Sequence, residues 1–224
     1  MPIYGNPFWI FGKALDPKYS WTQYSKFISS GLGASSWAST DGTRSITLAN
    51  GTWTVSDGKL VADGSSGFRT NIPGPNILVG IRCTVPSTFT PSTSSQWYNQ
   101  SCIFGYELGN RQKDYALTIR ESDGIIYPCV GYAMSSYTQS STPLPLDEEC
   151  ELFLLYTGSV FTMFLNRNVI LTVSYIASGS TSSKIGIFWN NSVAGSKVAG
   201  TISAFGVWQF TDIGGTDIIL PSLN

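Results

Sequence analysis

Between Glu151 and Phe210 the chain reads ELFLLYTGSVFTMFLNRNVILTVSYIASGSTSSKIGIFWNNSVAGSKVAGTISAFGVWQF, and no other stretch limits the choice of fold so tightly. Leu152–Tyr156 and Val160–Leu165 are apolar runs of strand length, bounded by turn residues. Thr157-Gly158-Ser159 between them supplies a glycine for a positive φ, so the pair predicts a β-hairpin. Asn166-Arg167-Asn168 turns the chain again into Val169–Val173. Lys184–Trp189 and Gly200–Trp208 follow, each after a loop rich in small and polar residues.

The same rhythm runs upstream. Arg44–Leu48 has strand character, and Thr52–Val55 and Lys59–Ala62 flank Ser56-Asp57-Gly58, whose Asp-Gly suits a type I′ turn. Ile77, Val79, Ile81 and Cys83 alternate strictly, which puts all four on one face of a strand. Cys102–Leu108, Asp114–Glu121 and Ile125–Val130 continue the series, and Ile218–Leu220 adds a last short run. Pro86–Ser101 and Tyr132–Pro145 read as long polar loops. About a dozen short strands without βαβ alternation predict an all-β, two-sheet antiparallel sandwich.

Residues 1–40 differ. Asp16-Pro17 has the form of a helix N-cap followed by proline, and Gly31 that of a stop. Trp21, Tyr24, Phe27 and Ile28 fall between them at helical spacing, so one short amphipathic helix is expected here. Two roles fit this segment. Phe8, Trp9, Phe11, Trp21, Tyr24 and Phe27 could form an assembly interface on a neighbouring subunit, or the helix could cover one end of the sandwich. The domain expectation is an aromatic attachment segment over 1–40 and a sandwich over 41–224.

Composition removes several functions. With 13 basic and 14 acidic residues and no basic block, the chain lacks a nucleic-acid footprint. Histidine is absent, which excludes Ser–His and Cys–His nucleophiles. Cys83, Cys102, Cys129 and Cys150 form no CxxC pair, so neither a metal nor a cofactor is expected. They read as buried reduced thiols, or as two disulfides if the protein ends up outside a cell. The N-terminus lacks signal-peptide features, and no apolar run approaches the roughly 18 residues of a membrane span. Synthesis in a cytoplasm without membrane insertion is expected.

Glycoside hydrolysis needs two carboxylates about 5–10 Å apart. Glu149 and Glu151 have a one-strand-face spacing, yet beside Asp147 and Glu148 they read as a solvated acidic turn. Glu107 stands alone on its strand. The expectation is a protein that is not an enzyme.

Leu154-Leu155-Tyr156-Thr157-Gly158, Met163-Phe164-Leu165-Asn166, Ile185-Gly186 and Gly200–Trp208 occur in an order that resembles the concanavalin A-like jelly roll, in its laminin-G-like and pentraxin-like branch. Gly105–Asn110 and Tyr115-Ala116-Leu117 also fit, so the resemblance spans roughly Ala49 to Phe210. It implies a jelly-roll fold. Calcium-binding members hold the metal through loop carboxylates and carbonyls. Here Ser203 stands at the acidic position of the final strand and Arg167 at the usual glycine, so no metal site carries over.

Sugar-binding sandwiches stack aromatic rings on sugar C–H faces and hold hydroxyls with polar neighbours. Trp97 and Tyr98, with Asn99 and Gln100 beside them, are the leading carbohydrate-binding candidates, followed by Tyr137 and Trp189. Together with the aromatic N-terminal segment, the composition points to a virion structural protein, such as a bacteriophage tail-fibre, head-fibre or capsid-surface component. The first 40 residues would engage other virion proteins, and the jelly roll would attach to host-surface glycan or serve assembly. A homo-oligomer, with a trimer as one form, fits that setting. Two alternatives are a non-viral lectin or carbohydrate-binding module and, less favoured, a glycoside hydrolase.

Overall fold

A computed structural model describes residues 14–33, 35–47, 53–64, 68–73, 76–88, 101–108, 115–122, 125–132, 136–174, 182–187 and 198–224. Two antiparallel sheets dominate it. The larger has eight strands, in the order β14 (Asn168–Ser174), β13 (Val160–Leu165), β12 (Glu149–Tyr156), β7 (Ile77–Thr84), β16 (Val198–Asp212), β5 (Lys59–Gly64) and β4 (Trp53–Ser56), with β1 (Tyr19–Ile28) also paired to β16. The six-stranded sheet runs β11 (Ser136–Gln139), β10 (Ile125–Tyr132), β9 (Tyr115–Ser122), β8 (Ser101–Leu108), β15 (Ser182–Ile187) and β6 (Phe68–Pro73). β2 (Ser36–Ala38) and β3 (Ser45–Thr47) form a small separate pair. The architecture is the all-β jelly-roll sandwich expected from the residue pattern.

Local chemistry sets the hairpins. β12 and β13 pair from Leu152↔Leu165 to Tyr156↔Phe161, and Gly158 takes a φ of 89° between them. Asp57 and Gly58 have φ of 51° and 69°, as a two-residue type I′ turn requires. Asn166 and Arg167 make the same kind of turn at 47° and 69°.

Both faces of the central strands are buried. Ile77, Val79, Ile81 and Cys83 join one cluster with Cys150, Leu152, Leu154, Phe161, Met163, Phe205 and Val207. On the opposite face Leu78, Phe153, Leu155, Phe164 and Trp208 pack under Leu220 and Leu223 of the C-terminal segment. Double burial accounts for the nearly continuous apolar runs of β12 and β13. Gly80 and Gly206 are register partners, and a Cβ on either would collide with the ring above it, Phe153 over Gly80 and Trp208 over Gly206. Cys83 and Cys150 are also register partners, and like Cys129 they are buried. A thiol–thiol hydrogen bond to Cys150, reinforced by burial, holds Cys83 well above the ordinary thiol range.

Three expectations are corrected. The helix expected before Gly31 does not form; Tyr19–Ile28 is β1, followed only by a 3-10 turn at Ser29–Gly31. The register steps from Gln23↔Trp208 to Ser25↔Val207, leaving Tyr24 as the extra residue of a bulge. Tyr19 and Trp21 therefore belong with the outer cluster and Phe27 with the inner one. One residue inserted into a two-residue alternation produces the helix-like spacing of Trp21, Tyr24 and Phe27. The stretch read as a polar loop after Tyr132 contains β11, and the run Ile218–Leu220 forms no ladder.

Candidate functional site

β16 is 15 residues long and outruns its neighbours. β7 occupies one of its edges from Thr201 to Gln209. On the other edge two strands lie end to end: β5 pairs with Val198–Ile202 and β1 with Ala204–Asp212. The sheet forks where they meet. Ser203 sits at the fork with no register partner in β5 or β1, and the β7 ladder also steps over it, from Ile202↔Cys83 to Ala204↔Arg82.

A cleft of about 410 Å³ opens at this point, on the face where the C-terminal segment lies. Its lips are Ile28 at the end of β1, Ser29 of the 3-10 turn that follows, and Asp57, Gly58 and Lys59 from the turn into β5. Arg82, Glu149, Ser203 and Ala204 form the floor, and Leu223 and Asn224 close one side.

The polar groups on this face hold one another in place. Lys59 Nζ lies 3.0 Å from Glu149 Oε2, and the Ser203 hydroxyl donates to the same oxygen at 2.9 Å. Across the β7–β12 register Arg82 opposes Glu151 and bonds its Oε1 at 2.7 Å, while Arg167 Nε reaches Oε2 at 3.1 Å. Burial alone would raise the Glu149 pKa. Hydrogen bonds from Lys59 and Ser203, with the Lys59 and Arg82 charges, outweigh it and hold the carboxyl below the usual carboxylate range. The cleft thus places cationic and hydroxyl donors beside an ionised acceptor, on strands rather than on loops.

Arg167 and Ser203, the two departures from the jelly-roll pattern that the sequence resembles, both make side-chain contacts on this face. Besides Glu151, Arg167 donates to the carbonyls of Leu220 at 3.1 Å and Pro221 at 3.3 Å. Lys26 Nζ donates to the backbone oxygen of Asn224 at 2.6 Å. These bonds tie down the segment that walls the cleft.

Trp97, Tyr98, Asn99, Gln100, Trp189, Phe8, Trp9 and Phe11 lie outside the described residues. Tyr137 falls on β11, at an edge of the six-stranded sheet, opposite Gly131. Trp21 donates from Nε1 to the Ile219 carbonyl at 2.6 Å and contacts the rings of Tyr19 and Phe210. Tyr24 lies under the Arg44 guanidinium at 3.9 Å. Phe27, 1% exposed, packs on Trp37 and Phe205 in the chain's own core, so it offers nothing to a partner surface.

Glu149 and Glu151 are corrected from a solvated turn to ion-paired residues of β12. Asp147 does stand in the preceding connection, accepting from the Ser87 amide at 2.9 Å. Lys59, Arg82 and Ser203, which line the cleft, are not among the residues expected at a site. The one sequence signal was Ser203's unusual place in its strand, because the long-range pairing that gathers the rest leaves no local trace. Among the described residues, no three His, Cys, Asp or Glu side chains gather as metal ligands.

No protein-family model and no curated protein sequence matches the chain. Solved structures share its fold. Trypanosoma rangeli sialidase aligns with a TM-score of 0.60 at 10% identity over 82% of this chain, which spans only 30% of the sialidase's length. Domain 4 of AbnA, a GH43 extracellular arabinanase from Geobacillus stearothermophilus solved in complex with arabinotriose, aligns with a TM-score of 0.60 at 12% identity, covering 88% of this chain and 95% of that domain. At this identity the likeness establishes a shared β-sandwich fold.

Proposed function

We propose that this chain is a non-enzymatic, lectin-like jelly-roll module that binds carbohydrate. The observation that carries the reading is the whole-domain likeness to domain 4 of the arabinanase, a sandwich solved with an oligosaccharide bound. The described face of the larger sheet adds a cleft whose donors and acceptors suit hydroxyl groups.

Binding is favoured over hydrolysis on the state of the carboxylates. A general acid needs a raised pKa, whereas Glu149 is held low and Glu151 is engaged by two arginines. Glu107 lies on β8, in the other sheet.

The setting we put forward is a virion. The N-terminal segment would contact other virion proteins, and the sandwich, into which Tyr19–Ile28 of that segment pairs as β1, would face host glycan as one of several copies. Support comes from the His-free, Gly-rich and aromatic-rich composition and the aromatic N-terminus. Multiple copies would multiply a weak single-site affinity.

The test is a glycan array probed with the full chain, multimerised on streptavidin, alongside an assay for released reducing ends. The reading expects retention on at least one glycan class and no release of sugar. Absence of binding from every glycan, or sugar release abolished by Glu149→Gln, would overturn it.

A further inference from the structure

We propose that the cleft at the fork of β16 is the sugar-contacting site, and that it takes a neutral saccharide through adjacent hydroxyl groups. The inference rests on the carbohydrate-binding reading and adds the place and the ligand class.

Charge decides the ligand class. The cleft's cations, Lys59 and Arg82, are each paired with a carboxylate, Glu149 and Glu151 respectively. An anionic sugar would have to break one of these pairs or approach Glu149 and Asp57 without compensation. A hydroxyl does neither, because it donates to a carboxylate and accepts from an ammonium at once. Two hydroxyls on adjacent carbons can bridge Lys59 and Glu149 while their ion pair stays closed. Lys59 and Ser203 both bond Oε2 of Glu149, which leaves Oε1 as acceptor capacity. Lys59 has three N–H donors, of which this contact uses one.

Geometry decides the place. The Lys59 and Glu149 side chains are 37% and 38% exposed, open enough to meet a ligand. Arg82 and Glu151, at 20% and 16%, are the less exposed pair beside them. The groups stand on β5, β7, β12 and β16, so little ordering is left for a ligand to impose. The bulge at Ser203 aims a hydroxyl at Glu149 from a position that no ladder claims. Ile28 at the lip adds an apolar surface for a sugar C–H face. At about 410 Å³ the cleft falls within the range of small-ligand sites.

Two variants of the full chain separate this from its alternatives. Glu149→Gln removes the ionised acceptor. Ser29→Leu, at an exposed lip, crowds the cleft with a branched side chain that has neither a stacking ring nor a hydrogen-bonding group. Both are measured by titration with neutral and with uronate- or sialate-containing oligosaccharides, with the unfolding midpoint as a check on folding. Wild-type binding to neutral sugars, weakened about tenfold or more in each folded variant, is the expected result. Undiminished binding by folded Ser29→Leu would place the sugar elsewhere and leave the carbohydrate reading intact. Binding confined to acidic sugars would overturn the ligand class. If the wild type bound no sugar, both inferences would fall together.

Discussion

Arg167 shows how one residue couples a turn to the site. Its φ of 69° is a conformation that glycine adopts without cost, so the chain tolerates local strain there. The guanidinium returns contacts to Glu151, Leu220 and Pro221 and lies 5.8 Å from the Phe153 ring centroid. Arg167→Ala keeps the strain and loses the contacts. With the side chain 45% exposed, a loss of roughly 1–2 kcal/mol is expected, below the full value of buried charged hydrogen bonds. Arg167→Gly relieves the backbone by up to about 1 kcal/mol and should fall between Ala and wild type. Chemical denaturation gives the ranking, and amide exchange over residues 218–223 should accelerate in both variants. Arg167→Ala with wild-type stability and exchange would show that the clamp does not hold the segment.

At the scale of elements, aromatic rings on the face covered by the C-terminal segment rest on glycines. Gly80 and Gly206 face each other across β7 and β16, and Phe153 and Trp208 occupy the space their missing side chains leave. Gly206→Ala forces the Trp208 ring aside and should cost roughly 1–3 kcal/mol. In a Trp208→Leu background the cost should shrink, because the clash is the cause. An equal penalty in both backgrounds, measured by urea unfolding, would rule the ring contact out as its source. What was legible in the sequence divides at this scale. Strict alternation in β7 and the Asp57-Gly58 turn are local patterns, and local reading recovered them. The bulge at Tyr24 is a single inserted residue whose effect depends on the partner strand, so the local spacing alone resembles a helix. The fork depends on β16 serving three partners, β5, β1 and β7, all of them distant in sequence. Nothing near Ser203 announces that Glu149 will lie beside it.

At the scale of the whole molecule, the larger sheet is packed on both faces, by the inner core on one and by the C-terminal segment on the other. That segment is bonded to β1 through Trp21 and Lys26 and to the β13–β14 turn through Arg167. The site thus combines residues from nearly the full span of the chain, from Ile28 to Asn224. Its polar side chains are fixed by the fold before any ligand arrives, as recognition with little induced change requires. A crystal structure of the full chain, soaked with the neutral oligosaccharide that binds most tightly, tests the account most directly. The account predicts sugar density in the cleft, with hydroxyls in hydrogen-bond contact with Glu149 and Lys59 and the Lys59–Glu149 pair still closed. Sugar density on the six-stranded sheet, or an empty cleft at saturating oligosaccharide, would contradict it.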